Sequence, residues 1–385
     1  QKQAVDTLDG PVMVIAGPGT GKTQVLTLRI AQILQKTDTD PSAILALTFT
    51  DSAAQNMRSR LFSLIGQDAY RVHISTFHSF GASVINDYPQ YFIFSDHQQQ
   101  LTDLKRLEIF NQLLTKSDLE LLRPVNAPLY YVPAIISAIQ SLKREAVSPE
   151  DLNKALKDEL YFLEQNQNDL TKTEFNTRQR NLQKNLELLK LYISYQEALK
   201  KQGLFDFEDM INWVIDAFKT QPDLLAEYQE RFHYFLVDEY QDTNSAQEEL
   251  LTLLSSFWGP QANIFVVGDD SQSIFRFQGA SIENALNFRS NYPNAKLIVL
   301  SQNYRSQQLI LDAAYSVIQN NQVSLEKKIP EITRKLQSNK DYPKSEITIV
   351  RAKHQVIEQL YLINSIKDLL SQKVEPSQIA ILGRN

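Results

Sequence analysis

Residues 11–23, Pro-Val-Met-Val-Ile-Ala-Gly-Pro-Gly-Thr-Gly-Lys-Thr, constrain the fold more than any other stretch of the chain. They open as a short apolar run without alternation, the pattern of a strand buried on both faces. Gly17, Gly19 and Gly21 then fall within five residues and lead into Lys22 and Thr23. Beyond them Val25, Leu28 and Ile33 recur at helical spacing. Strand, glycine loop and helix in that order form the setting of a phosphate-binding loop, because N–H groups of the loop and of the helix N-terminus converge on an anion. Within the loop, formed by Ala16, Gly17, Pro18, Gly19, Thr20, Gly21, Lys22 and Thr23, a Cβ at the glycines would block both the turn and the approach of phosphate. Lys22 supplies a point charge for the outer phosphates, and the Thr23 hydroxyl is placed to bind Mg²⁺. Ala16 departs from the usual pattern, which has glycine there.

Further buried-strand patterns follow at 44–50, 72–75, 232–237, 263–267 and 297–300. In an open parallel sheet the strand C-termini line the ligand crevice, which makes Phe49 and Phe77 site candidates. Ser52 is the expected cap of the helix after the second strand. Asp238 and Glu239 close the 232–237 run. Two adjacent carboxylates are a poor structural choice at a strand end but suit a metal nucleotide, with Asp238 holding Mg²⁺ and Glu239 polarising the attacking water. After 263–267 comes Gln272, an uncharged group able to report on a terminal phosphate. Phe275 and Phe277 flank Arg276 there, an arrangement suited to base stacking.

Residues 82–202 contain no glycine and are rich in Leu, Lys and Gln, with Leu182, Leu186, Leu189 and Ile193 on one helical face. Pro124, Pro128, Pro133 and Pro149 divide this stretch into several helices. The expected fold class is therefore α/β: a parallel P-loop sheet split by an all-helical insert, with part of a second lobe. The boundaries read as 1–88 and 203–282 for the two parts of the ATPase domain, 89–202 for the insert and 283–385 for the incomplete second lobe. The run 297–300 opens that lobe, and 347–350 and 379–382 supply further strands. The polar stretch 327–344 reads as an exposed loop.

Composition removes several classes. There is no Cys, and the five His are scattered without ligand spacing, so neither disulfides nor a zinc site is expected. No apolar run is long enough for a membrane span, which fits a cytoplasmic protein. With a net charge of −6, contact with nucleic acid must use a local groove rather than a global field.

Taken together, these blocks resemble the superfamily I DNA helicases of the UvrD, Rep and PcrA type. They stand in the family's order: Gln1, 16–23, 47–54, 76–80, 238–244, 267–280 and 300–306, with the insert where the family carries one. The resemblance implies a RecA-like fold and ATP-driven, 3′→5′ movement along single-stranded DNA, including single/double-strand junctions, in repair, recombination or replication. Position by position it implies that Gln1 reads the adenine and Tyr304 stacks on it. Gln272 couples the γ-phosphate to DNA, Arg305 touches that phosphate, and Phe49, Thr76, His78, Phe275 and Phe277 contact DNA. The chain departs from the family at Gln24, beside the adenine where many relatives have Arg, at Phe277 for a frequent Trp, and at Gln278 for a frequent Arg. It reads as the amino-terminal portion of a longer helicase, with a second catalytic Arg beyond Asn385 and slow hydrolysis in its absence. The rival readings are an ATP-dependent DNA-binding module or switch that does not unwind, and the motor part of a helicase–nuclease.

Overall fold

The computed structural model describes residues 1–92, 99–167, 169–273, 282–320, 335–340 and 346–383. These fall into two units, Gln1–Asn339 and Lys340–Asn385.

The first unit is built on six strands: β1 (Val12–Ala16), β2 (Ile44–Thr48), β3 (His73–Thr76), β6 (Tyr234–Val237), β7 (Ile264–Gly268) and β8 (Lys296–Leu300). Their order is β3-β2-β6-β7-β1-β8, and every pairing is parallel. Alternate residues face opposite layers, as the two-residue period of a strand requires. Met13, Ile15, Leu45, Leu47, Phe235, Val237 and Val266 pack on one side. That side is covered by α4 (Phe77–Asp87), α9 (Asp209–Thr220), α10 (Pro222–Arg231), α11 (Ser245–Ser255) and α12 (Ile282–Asn291). Val12, Val14, Ile44, Ala46, Leu236, Phe265 and Val267 face the other, under α1 (Lys2–Asp6), α2 (Lys22–Lys36) and α3 (Asp51–Ile65). Burial on both faces is why the inner strands β1, β2, β6 and β7 read as apolar runs, whereas the edge strands β3 and β8 alternate. The cap of α3 is Thr50, whose side chain accepts from the Ala53 N–H, and not Ser52, which lies inside the first turn.

The insert carries α5 (Asp103–Lys116), α6 (Val132–Arg144), α7 (Pro149–Gln165) and α8 (Lys172–Gln202). Pro133 and Pro149 sit in first turns, where a missing N–H costs nothing, and Gly203 ends α8 in the left-handed region at φ 62°. The helices have a core of their own around Phe110, Ile135, Ile139, Leu191 and Tyr195. On the face expected from the sequence, Leu182 and Leu189 are buried, whereas Ile193 is exposed. Two short strands, β4 (Gln99–Gln100) and β5 (Leu204–Phe205), pair where the chain enters and leaves. Lys143 of α6 is buried against Asp206 and Asp209, tying the insert to the start of α9.

The strand expected to open a second lobe, 297–300, belongs instead to the first sheet. As β8 it pairs with β1 from Val12↔Lys296 to Ala16↔Leu300, which gives β1 a neighbour on both sides. β9 (Gln302–Asn303) and β10 (Gln337–Ser338) form a short pair, with α13 (Gln308–Ile318) between them, so the expected loop carries a strand at 337–338. The second unit contains α14 (Gln355–Ser371) and a short 3-10 turn at Pro376–Gln378. The expected strands at 347–350 and 379–382 are not formed among its described residues, and Ile349 and Leu382 are exposed. A strand exists only by pairing its N–H and C=O groups, and an apolar run without a neighbour does not supply one.

Candidate functional site

Local backbone geometry sets the loop that joins β1 to α2. Gly19 and Gly21 have φ of 70° and 87°, a region costly for any residue with a Cβ. Ala16 needs no such freedom: it is the fully buried last residue of β1 and has no positive φ, so the missing first glycine costs nothing here. Gln1 lies directly over the loop. Its Nε2 donates to the Thr20 carbonyl at 2.6 Å, and a Cβ on Gly21 would stand 2.9 Å from that same nitrogen. Gln24 flanks the same glycine. From the other side Asn303 Nδ2 donates to the Pro18 carbonyl at 2.5 Å, and the Tyr304 N–H donates to Gly19 at 2.9 Å. A Cβ on Gly19 would meet Arg305 Cβ at 2.7 Å. Gln1, Gln24, Tyr304 and Arg305 are thus gathered around the loop.

The acidic pair stands opposite. The Thr23 hydroxyl donates to Asp238 Oδ2 at 3.1 Å, and Lys22 Nζ lies 2.6 Å from Glu239 Oε2. Glu239 has φ 49° and ψ 44°, a left-handed conformation rare for a side chain of its size. Burial, reinforced by the neighbouring Glu239, pushes the Asp238 carboxyl up to about 6. A buried carboxylate lacking enough positive charge, within reach of a loop hydroxyl, fits a divalent cation. Mg²⁺ sites use only one or two carboxylates and complete their shell with phosphate and water. Among the described residues no cluster of three His, Cys, Asp or Glu offers a self-sufficient metal cage. Gln272 Nε2 donates to Asp269 Oδ2 at 2.8 Å just beyond β7.

Behind the acidic pair lies a cleft of about 350 Å³ whose lining includes Phe49, Thr76, His78, Arg144, Phe207 and Asp242. Thr76 caps α4 by accepting from the Ser79 N–H at 3.1 Å. The His78 ring stacks on Phe207, with centroids 3.8 Å apart and planes 19° apart. Burial, helped by Arg144, pushes His78 down to about 4, so it enters the cleft as a neutral ring. Arg144 is paired with Glu208 at 2.8 Å. The structure therefore brings together three of the five residues expected at DNA. Phe275 and Phe277, with Gln278, lie outside the described residues.

The sequence pattern that defines the UvrD/REP helicase N-terminal domain matches residues 1–293, and that of the UvrD-like helicase C-terminal domain matches residues 298–385. The chain belongs to the UvrD/REP helicase family. The second pattern begins inside β8, a strand that nevertheless completes the first sheet. Among individual proteins, the chain is 35% identical over 392 residues to the ATP-dependent DNA helicase PcrA of Leuconostoc citreum, covering 100% of this chain and 46% of that protein. PcrA helicases of Staphylococcus epidermidis and Staphylococcus aureus are 36% identical over 321 residues, or 83% of this chain and 40% of theirs. The chain thus spans less than half the length of the curated relatives it matches.

Sequence reasoning missed three residues of the site: Arg144, Phe207 and Gln241. Phe207 sits in a Phe-Asp-Phe-Glu-Asp run that reads as a helix start, and its partly exposed ring becomes meaningful only when α4 delivers His78 to it. The usable signal was the second aromatic of that run, which the helical pattern did not need. Gln241 follows two carboxylates and reads as loop polarity, yet it is buried.

Proposed function

We propose that the protein couples ATP hydrolysis to movement along single-stranded DNA. The observation that carries this reading is the double pairing of Thr23 with Asp238 and Lys22 with Glu239, which closes the phosphate loop onto the acidic pair, while Asp242 of the same segment lines an aromatic cleft. ATP with Mg²⁺ would supply the scissile phosphoanhydride and the charge that polarises it. The loop amides and Lys22 hold phosphate oxygens, Thr23 and Asp238 hold the cation, and Gln1 and Tyr304 border the base. Glu239 accepts a proton at its carboxylate from water directed at the phosphate, and Arg305 offsets the negative charge that develops there. Phe49 and His78 give the cleft faces on which bases stack. The names of the PcrA relatives support the same reading, with 3′→5′ travel, junction unwinding and roles in repair, recombination or replication as its finer points.

Glu239 favours this reading over an ATP-dependent clamp, because binding alone needs no carboxylate held in a strained conformation beside a lysine. In the full-length protein, Glu239→Gln should leave Mg-ATP and single-stranded DNA binding within about twofold while turnover falls ~10²-fold or more, the usual scale for loss of a general base. Titration calorimetry and a steady-state ATPase assay read the two quantities. Turnover that survives the substitution would remove the hydrolytic role of Glu239.

A further inference from the structure

The buried Gln241 stands between three parts of the site. Its orientation follows from its partners. The amide oxygen accepts from the Asp269 N–H at 2.8 Å, which can be nothing but a donor, so the NH₂ must face the two carboxylates. One proton of that NH₂ goes to Glu239 Oε2 at 2.9 Å, and the other, on a longer bond, to Asp242 Oδ2 at 3.3 Å. The position is also tightly enclosed. A Cβ on Gly268 at the end of β7 would lie 2.6 Å from Gln241 Oε1 and 3.1 Å from its backbone nitrogen.

Glu239 Oε2 therefore receives two donors, Lys22 Nζ at 2.6 Å and Gln241 Nε2 at 2.9 Å. An oxygen so occupied is a poor proton acceptor. Phosphate would compete for Lys22 but has no hold on Gln241. Asp242, by contrast, lines the cleft, and its Oδ1 is buried without a hydrogen-bond partner among the described residues. Single-stranded bases expose N–H donors that an unused carboxylate oxygen can accept, whereas their phosphates would be repelled by it.

We propose that Gln241 is a positioning residue that restrains Glu239 until a strand occupies the cleft. A base edge that engages Asp242 Oδ1 draws this carboxylate toward the strand. The Gln241 amide, hinged on the Asp269 N–H, follows Asp242 and leaves Glu239 Oε2 open to take a proton from water. The inference rests on the reading of Glu239 as the base.

In the full-length protein the test is Gln241→Met, which keeps length and burial but loses both donors, with ATP turnover measured with and without a single-stranded oligonucleotide. Unstimulated turnover should rise about tenfold, the equivalent of one hydrogen bond to a charged group, while stimulated turnover changes less than about twofold. The stimulation ratio then collapses. Gly268→Ala, which displaces Gln241 without altering it, should reproduce the collapse. Affinity for Mg-ATP, read by calorimetry, should stay within about twofold in both variants, which a general loss of structure would not permit. An unchanged ratio, a proportional fall of both rates, or loss of the stimulated rate alone would overturn the proposal. Glu239→Gln in the same assay separates the two readings. Turnover persisting there removes the base assignment and this proposal with it, whereas turnover lost there with an unchanged ratio in Gln241→Met removes only the restraint.

Discussion

Arg29 offers a strong test of how the adenine side of the site is held. It lies on α2, fully buried, and its guanidinium donates to three carbonyls at the end of α1: Ala4 at 3.0 Å, Leu8 at 3.1 Å, and Thr7. The same group lies 4.5 Å over the Phe265 ring of β7. Replacing it with Met keeps the volume but leaves the buried Ala4 carbonyl without that donor, at about 1–3 kcal/mol, and loses about 0.5–1.5 kcal/mol at each of the other two, where water can substitute. The cation–π contact contributes about 1 kcal/mol more. Against this, burial lowers the arginine from 12.5 to about 10, so a neutral side chain recovers about 3 kcal/mol of desolvation. The net expectation for Arg29→Met is a loss centred near ~2 kcal/mol, within a span of about 0–4 kcal/mol, measured by urea unfolding. The loss should be concentrated in α1, whose amides should exchange faster by hydrogen–deuterium exchange. Because α1 carries Gln1 to the Thr20 carbonyl, preference for ATP over GTP should weaken while affinity for inorganic tripolyphosphate holds. Unchanged stability together with unchanged α1 exchange would refute the reasoning.

Lys22→Ala should weaken Mg-ATP binding at least ~10-fold by calorimetry, since it removes the loop's side-chain cation, and undiminished affinity would reassign the phosphate site. Glu248 is buried beside the Tyr240 hydroxyl, 2.6 Å away, and burial pushes its carboxyl from 4.5 up to about 7. A folded pKa above the unfolded one means that the native state holds the extra proton, so stability falls as pH rises from about 4.5 to about 7. Glu248→Gln should flatten that fall, raising stability at pH 8 by up to about 3 kcal/mol and changing little at pH 4, as thermal melts at the two pH values would read. Lys143→Met leaves Asp206 and Asp209 buried without their cation and should cost about 3–5 kcal/mol in chemical unfolding, while the double replacement Asp206→Asn, Asp209→Asn in that background should recover part of the loss.

The phosphate loop was legible because its chemistry is local: glycines, Lys22 and Thr23 do their work within one turn of chain. The four inner strands were legible for a related reason, since burial on both faces leaves continuous apolar runs. The place of β8 was not legible. An apolar run records that a strand is buried but not which neighbour it pairs with, and β8 finds β1 across 280 residues of chain. The runs at 347–350 and 379–382 show the converse, apolar patterning without a pairing partner in the described structure. In the site, Glu239 was found because paired acids beside a phosphate loop are costly without a function. Gln241 was passed over because nothing in its own identity signals burial. Its role depends on Gly268 leaving room for its carbonyl, a fact that lives in two segments distant in sequence.

The sheet order has a consequence for how the chain reaches its fold. β1, which carries the phosphate loop, lies between β7 and β8, and both are made last. A chain emerging from the ribosome can pair β2 with β3 at once, but β1 stays without a partner until residue 264 and beyond are available. In the interval the insert, with its own helical core, can fold independently. Long-range parallel pairing is slow, because a large loop must close before any contact rewards it. The strand left longest without a partner in the nascent protein is thus the one that will hold the nucleotide, and it is apolar along its whole length. Its exposure lasts for the synthesis of some 250 residues, at roughly 5–20 residues per second about 12–50 seconds, a window in which a chaperone or a misplaced strand edge competes for it.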